Sequence, residues 1–469
     1  MLGLFGTLDV AARSLSVQQE EMALAGQNVS NANNTAYADE QLEVSEATPV
    51  DTPFGEEGTG AQITGITDTR DALLDSQIQA EASTSGSLSA QQTNLQNAEA
   101  YLDEQVTSSS SSTADDSPNG LAADLSNLFD SFQSLSNDPG DLSLRQTAVQ
   151  SAQQVATQFN QVSTQLSTVQ ADLNTSVQND VASSNQDLSS IASLNKEIVA
   201  AQAGGGSADQ LVDQREETLE NLAGLANFST TTQANGAVDV SLGGVTMVSG
   251  GSVTDQLQTY TDSSGNQQVQ AQNAGTPLTL TGGSIEGEIT ARDGALARLQ
   301  SGLNTLASQL ITQVNTVYSA GYDLNGNTGQ DLFTGSAASD IGVNSNVAND
   351  PTQFQAAGAA SSAGDNTVVL ALAQLGGQKI AGLSKQTFSA SYAQTVSDLG
   401  DAISSVNDQL SNSQAVTQML ATQRASTSGV STDTEMTNLI QYQKAYEASA
   451  ELVSTLNQMM QTVVSMKSS

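Results

Sequence analysis

Apolar residues along the first 32 positions recur at alternating spacings of three and four. Met1, Leu4, Leu8, Ala11, Leu15, Gln18, Met22, Ala25, Val29 and Ala32 hold the stripe, and Gln18 is its polar exception. That rhythm lays a narrow apolar seam along one side of a helix. Asn31-Ala32-Asn33-Asn34 predicts its end, because Asn favours turns and caps. The last helix, predicted over about 432–467, repeats the pattern with Leu439, Tyr442, Tyr446, Ser449, Val453, Leu456, Met460 and Val463, Ser449 being the polar member. Two such helices at the extreme ends of a chain predict that the termini meet and pair as a coiled coil. The candidate interface residues are Leu4, Leu8, Leu15, Met22 and Val29 from the first helix. From the last they are Leu439, Tyr442, Tyr446, Val453, Leu456, Met460 and Val463. An ordinary intramolecular coiled coil accounts for this pattern, and so does a pair that also packs on neighbouring subunits. For the two tyrosines, seam packing suffices. A lone two-helix hairpin buries one seam and is marginal in isolation, so the second reading expects the ends to order on joining neighbours.

Between the ends the period changes several times. Gln41–Val44 and Ala61–Ile66 alternate, with Pro49, Pro53 and Gly55 between them, which predicts a strand, a loop and a second strand. Helical periodicity resumes at Asp71 and runs to about Val106. Ser108–Ser112 with Asp115, Asp116 and Pro118 reads as a low-complexity connector. A helix is expected over 120–136, a turn at Asn137-Asp138-Pro139-Gly140, and then a very long helix over 141–203, halted by Gly204-Gly205-Gly206. Another helix runs from Ser207 to about Ala226. Residues 228–289 are β-rich, with alternation at Ala237–Leu242 and Val245–Val248 and a hairpin turn at Ser263-Ser264-Gly265-Asn266. Helix returns over 285–320, 366–381 and 388–427, while 321–330 is a Gly- and Asn-rich loop and 331–364 is irregular. The pattern predicts a mainly α protein with a β-rich insertion: an elongated hairpin of nested domains, with the β domain distal, farthest from the paired termini. The divisions expected are 1–36 with 430–469, 37–227 with 285–429, and 228–284, to which 331–364 is a possible addition.

Composition narrows the function. The chain has 469 residues, roughly three domains at about 150 residues each. With 12 Lys and Arg against 50 Asp and Glu, the formal net charge is −38. Such a surface is repelled by anionic membranes and offers no basic face for nucleic acid. His, Cys and Trp are absent, which excludes His–Cys metal sites, Cys nucleophiles and His-based triads. No run of 18 apolar residues exists, so no membrane insertion is expected. The N-terminus lacks a basic region before its apolar residues, and Asp9 interrupts them, so no cleaved signal peptide is expected. The acidity is also what a salty habitat would select. Its distribution is uneven: between 71 and 205 only Arg145 and Lys196 stand against sixteen carboxylates. The terminal helices are closer to neutral, which predicts less self-repulsion where identical neighbours meet.

Candidate catalytic and metal-binding chemistry is thin. Asp213, Glu216, Glu217 and Glu220 share one helix face, where paired carboxylates could do acid–base work, but a solvated face beside Arg215 is the favoured reading. Asp323-Leu324-Asn325-Gly326-Asn327 superficially resembles a calcium loop. Thr328 and Thr334 stand where the loop needs glycine and glutamate, so a turn is the better reading. Gly204-Gly205-Gly206 follows no strand and precedes no Lys, so it is no phosphate loop. No enzyme activity and no cofactor are expected.

Several segments together resemble the FlgK family of flagellar hook-associated proteins. Ala25-Gly26-Gln27-Asn28-Val29-Ser30-Asn31-Ala32-Asn33 resembles the rod- and hook-type signature that closes the first helix of flagellar axial proteins. Gly60–Ile66 leading to Arg70-Asp71-Ala72-Leu73-Leu74, and Leu135-Ser136-Asn137-Asp138-Pro139 with Arg145-Gln146, are similar to later family segments. Ile191–Ile198, Leu211-Val212-Asp213-Gln214-Arg215-Glu216 and Gly321-Tyr322-Asp323-Leu324-Asn325-Gly326 resemble this family within the axial group. Ser428-Gly429-Val430-Ser431 and Asn438–Tyr446 complete the set. One departure stands out. The family follows its Asn run with Thr-Pro-Gly-Tyr and a basic-Gln pair, where this chain has Asn34-Thr35-Ala36-Tyr37 and Asp39-Glu40.

The resemblance implies a structural subunit of the bacterial flagellum at the hook–filament junction, polymerised through its terminal helices and exported without signal cleavage. It implies extracellular residence, with the hook protein below and the second hook-associated protein above. A cytoplasmic export chaperone would bind the C-terminal region. It places the terminal helices in the inner tubes, the long helices around them and the β insertion outside. The rival readings are another axial subunit, of the hook-associated protein 3 or flagellin type, and a secreted binding module carried on the β insertion.

Overall fold

The structure, a computed structural model, describes residues 3–52, 55–102 and 120–467. The connector expected at 108–118 lies outside the described residues, as does Met1. The chain opens with helix α1 (Leu4–Asn31). Strand β1 (Glu40–Glu46) and strand β4 (Ala61–Asp68) follow as an antiparallel pair, with the small hairpin β2 (Val50–Thr52) and β3 (Gly55–Glu57) between them. Then come α2 (Ala72–Tyr101), α3 (Gly120–Asn137), α4 (Leu142–Ala203) and α5 (Asp209–Leu225). The β insertion holds a four-stranded antiparallel sheet, β5 (Ser229–Thr232), β6 (Val238–Leu242), β7 (Val245–Ser249) and β8 (Ser252–Val253) in chain order. A separate hairpin follows, β9 (Leu257–Thr261) with β10 (Gln267–Ala271). Helix α6 (Ser284–Ala291) passes through a π turn at Arg292–Leu296 into α7 (Ala297–Tyr318). The pair β11 (Phe333–Thr334) and β12 (Gly342–Val343), then α8 (Ser345–Asn349) and α9 (Thr367–Leu375), lead to α10 (Phe388–Thr427) and α11 (Thr432–Lys467).

Local chemistry sets the boundaries. Asp71 caps α2 by accepting from the amides of Leu73 and Leu74, and Asp141 caps α4 through Ser143 and Leu144. With no Pro or Gly inside it, α4 continues for 62 residues, roughly 93 Å, until Gly204 and the left-handed Gly205 at φ +83°. The helix expected over 366–381 ends at Leu375, because Gly376-Gly377 follows, and only a short 3-10 turn forms at Ala381–Leu383.

The long helices run past one another, and two cores form along them. The larger gathers α3, α7, α9, the N-terminal half of α4 and facing halves of α2 and α10 around Phe132, Phe159, Phe354 and Phe388. The smaller joins the C-terminal half of α4 to α5, the sheet and α6, around Leu188, Ile191, Leu222, Val240 and Met247. In the tight packing of α6 on α2, a side chain at Gly287 would collide with the backbone of Ser87.

The fold is mainly α with a β-rich insertion, as the periodicities predict, but the insertion is not at the far end. Arg145, near the start of α4, donates to the carbonyl of Pro139 at 2.7 Å and to that of Phe354. Asn195, fifty residues and roughly 75 Å along the same helix, holds Val238 and Gly250 of the sheet. Beside Asn195, Arg215 donates to the Gly236 carbonyl at 2.8 Å, and two residues earlier Asp213 pairs with Arg70, next to the terminal helices. The sheet therefore sits on the half of α4 nearer the termini, and α3, α9 and residues 320–386 form the remote end. The midpoint of the chain is not the tip of the molecule because α4 alone spans the body and α5 turns back along it.

Candidate assembly surface

Helices α1 and α11 pack antiparallel. Asn28 donates to Glu435 at 3.3 Å, and the hydroxyls of Ser14 and Ser449 lie 3.4 Å apart. This register sets Leu4 opposite about residue 459 at one helical rise per residue. The end of α11 therefore extends past the start of its partner.

The predicted seam residues fall into three groups. Leu456 is buried. Leu4, Leu8, Leu15, Met22, Val29, Leu439, Tyr442, Val453 and Met460 are half-buried between the helices. Tyr446 and Val463 are exposed, Val463 because it lies beyond the end of α1. Apolar side chains remain in solvent on the outer faces and ends of the pair: Phe5 at 77 %, Val464 at 69 % and Met466 at 74 % exposure, with Leu452 and Met459 about half open. Burying such groups against a neighbour is favourable in proportion to their apolar area, about 25 cal/mol per Å2.

The seam pattern missed part of α1. Its buried members include Val17 and Leu24, each one position before a seam residue. With Val10, whose side chain meets Gly60, they form a second row spaced by seven. That row follows from the β1–β4 hairpin, which lies along α1 instead of on the long helices. The seven-residue spacing of Val10, Val17 and Leu24 was the available signal.

At the base of the pair the chain turns into β1 without the Pro-Gly of the family pattern. Asn34 builds the turn, its side chain accepting from the Ala36 amide at 3.0 Å and its carbonyl from the Tyr37 amide at 3.2 Å. Tyr37 is buried, and its hydroxyl donates to Asn28 at 2.7 Å. The acidic pair that follows is met by amides: Asn28 donates to Asp39 and Gln27 to Glu40, each at 2.9 Å. Burial, and then Asp209 and Asp213, push the Glu40 carboxyl up to about 7. The two crossings into the body are braced together, the Asp39 amide donating to the Ser428 carbonyl at 2.8 Å and the Ser428 hydroxyl to the Thr69 carbonyl at 2.9 Å.

Below this brace lies an ion-pair cluster. Arg70 reaches Asp75 at 2.9 Å, the Ala36 carbonyl at 2.7 Å, and Asp213; Arg424 reaches Asp75 at 3.2 Å and Glu220 at 2.5 Å. Burial opposes the Arg70 charge, and Asp75 and Asp213 more than offset it. The acidic face of α5 is thus not the solvated face expected: Asp213, Glu216 and Glu220 are engaged by Arg70, Arg215 and Arg424, and Glu217 alone of the four is exposed. A cleft of about 400 Å3 opens between this cluster and the terminal pair, lined by Asn34, Tyr37, Ile78, Leu420 and Val430 among others. Asp323 folds its loop, accepting from the amides of Asn325 and Asn327, which is a turn and not a metal loop. Among the described residues no acidic cluster fits a metal ion, and no helix is long and apolar enough to cross a membrane.

Comparison with known proteins agrees with this architecture. Residues 107–333 match the family model "Flagellar hook-associated protein FlgK helical domain", and residues 421–466 match "Flagellar basal body rod FlgEFG protein C-terminal"; together they cover more than half of the chain. Flagellar hook-associated protein 1 of Bacillus subtilis is 28% identical over 511 aligned positions, covering 99% of this chain and 98% of that protein. Flagellar hook-associated protein 1 of Escherichia coli is 24% identical over 333 positions, covering 69% of this chain and 59% of that protein, so the match spans less than two thirds of its length. The solved flagellar hook junction protein FlgK from Burkholderia pseudomallei shares the fold, with a TM-score of 0.66 at 18% identity, covering 75% of this chain and all of that one.

Proposed function

The chain belongs to the FlgK family of flagellar hook-associated proteins, and from that premise we propose that it forms the hook–filament junction by polymerising through its terminal helices. It is a structural subunit of the flagellar axis and not an enzyme. The observation that carries the assembly mode is the half-covered seam of α1 and α11, with Phe5, Leu452, Met459, Val463, Val464 and Met466 open to solvent at its edges and ends. A two-helix pair in this register leaves these side chains open; copies packed side by side around an axis would cover them together. Leu4, Leu8, Leu15, Met22, Val29, Leu439, Tyr442, Tyr446, Val453, Leu456, Met460 and Val463 are the proposed interface set. They serve partly within the subunit and partly between subunits.

The terminal pair (1–36 with 430–469) is the proposed inner unit, the long helices (37–227 with 285–429) the layer around it, and 228–284 a lateral addition. Relatives are called hook-associated protein 1 and hook junction protein, which supports hook protein and the second hook-associated protein as the proposed neighbours, with an export chaperone holding the C-terminal region beforehand. Export with an intact N-terminus to the extracellular flagellum completes the proposal.

Deletion of 433–469 tests it. The expected result is loss of the junction and shedding of filament subunits into the medium, while the long-helix body keeps its helical signal. Normal filament attachment by the truncated chain would sink the proposal.

A further inference from the structure

We propose that Asn28 fixes the register of the terminal helix pair and locks that pair to the body of the protein, as a positioning residue for assembly. The inference rests on the terminal pair being the assembly surface. Asn28 is 2 % exposed and sits where α1, α11, β1 and the 34–37 turn converge. Its amide nitrogen donates to Asp39 Oδ1 and the Glu40 carbonyl, each at 2.9 Å, and to Glu435 Oε2 at 3.3 Å. Its oxygen accepts from the Tyr37 hydroxyl at 2.7 Å and the Glu40 amide at 3.3 Å. Each of the other partners is held from a second side: Glu435 by Asn438 at 3.0 Å, Glu40 by Gln27, and Asp39 through its amide on Ser428.

The rest of the seam cannot supply this specificity. Its leucines, alanines and methionines repeat every three or four residues, so a slip by one turn exchanges one apolar contact for another at little cost. Ser14 and Ser449 add a single contact between short hydroxyls. A slip between α1 and α11 instead takes the buried Glu435 carboxylate away from its Asn28 donor, while the bonds to Tyr37, Asp39 and Glu40 hold Asn28 in place. Leaving such a buried group without its donor costs far more than exchanging one apolar contact for another. One polar residue in an apolar seam is a known way to choose one register among several. Here the same residue also binds the strand that enters the body, so register and orientation are set together.

The chain has no Cys, so Ser16→Cys and Gln461→Cys, both at exposed positions and offset by about 21 Å along the pair, give a doubly spin-labelled full-length chain whose label separation follows any axial slip. Electron–electron resonance should read one narrow separation in the native background. With Asn28→Leu, which keeps the helix apolar, the distribution should broaden or split by the rise of one turn. Asn28→Asp places a further carboxylate against Asp39, Glu40 and Glu435, beside Tyr37, with Asp68, Asp209 and Asp213 and the Arg70 guanidinium facing the same site from β4 and α5 and from the segment between β4 and α2. Its distribution should be broad at about pH 8 and narrow again at about pH 5, where protonation restores a donor. An unchanged distribution in Asn28→Leu, or no recovery of Asn28→Asp in acid, overturns the assignment. If deletion of 433–469 leaves the junction intact, the assembly reading falls, while the label distances still decide the role of Asn28 in the monomer.

Discussion

Arg70 and Asp75 form a 2.9 Å ion pair that ties the end of the β1–β4 hairpin to the first turn of α2. The same Asp75 accepts from Arg424 on α10, and the same Arg70 holds Asp213 on α5. Three helices of the body and the strand leaving the terminal unit therefore share one cluster.

Arg70→Met should be strongly destabilising. It leaves Asp213 buried without its cation and Asp75 with Arg424 alone, and removing one partner of a buried pair typically costs about 3–5 kcal/mol. Arg70→Lys should recover only part, because an ammonium cannot bridge two carboxylates and the Ala36 carbonyl in the same planar geometry. Urea denaturation of the three proteins checks the order native, Lys, Met; equal midpoints would refute it.

Glu288 on α6 should make stability depend on pH. Burial, and then the Asp180 carboxylate, push its carboxyl up to about 8, against the opposing pull of Ser176 and Arg292. The native state thus holds this proton more tightly than the unfolded chain, whose carboxyl titrates near 4.5. The associated stability is complete below about pH 4.5 and is lost as pH rises through about 8. Glu288→Gln stays neutral throughout, so it should match the native protein near pH 5 and melt higher near pH 9. Thermal melts at the two values decide it.

Self-association of purified subunits should increase with salt. The net charge of −38 is carried mostly at the surface: Arg145, Arg215 and Arg292 are buried, but so are Glu40, Asp75, Asp213, Asp255, Glu288, Asp323 and Glu435, and the exposed groups remain strongly anionic. Raising ionic strength from about 0.1 M to about 1 M shortens the screening length from about 10 Å to about 3 Å. Repulsion between the long-helix layers of neighbouring copies then fades while the apolar ends still attract. Sedimentation at the two salt levels measures the shift, and an unchanged monomer fraction would count against charge as the brake.

Periodicity alone determined most of the elements. The 3–4 spacing in the first 32 residues, its repeat after 432, and the uninterrupted stripe of 141–203 each predict a helix that is present, because an amphipathic helix advertises its buried face locally. The alternation at Val238–Leu242 likewise marks a strand with buried Val238, Val240 and Leu242. Motifs scattered over the chain also acquire their reasons in space. Asn195 and Arg215 bind each other at 3.3 Å, and the pair holds the backbone of the sheet.

What the sequence could not decide is where each face meets its partner. The row Val10, Val17 and Leu24 needs the hairpin beside it, and the hairpin's position depends on contacts far along the chain. The acid face of α5 looks solvated in one dimension, since Arg70 lies 143 residues away from Asp213. The β insertion sits near the termini because α5 folds back along α4. Asn28 gives no sequence signal of its role, because one buried amide means nothing until α11, Tyr37 and Glu40 surround it. Local spacing selects helix or strand; only the three-dimensional pairing of distant segments selects which polar atoms are buried, and those atoms decide the register.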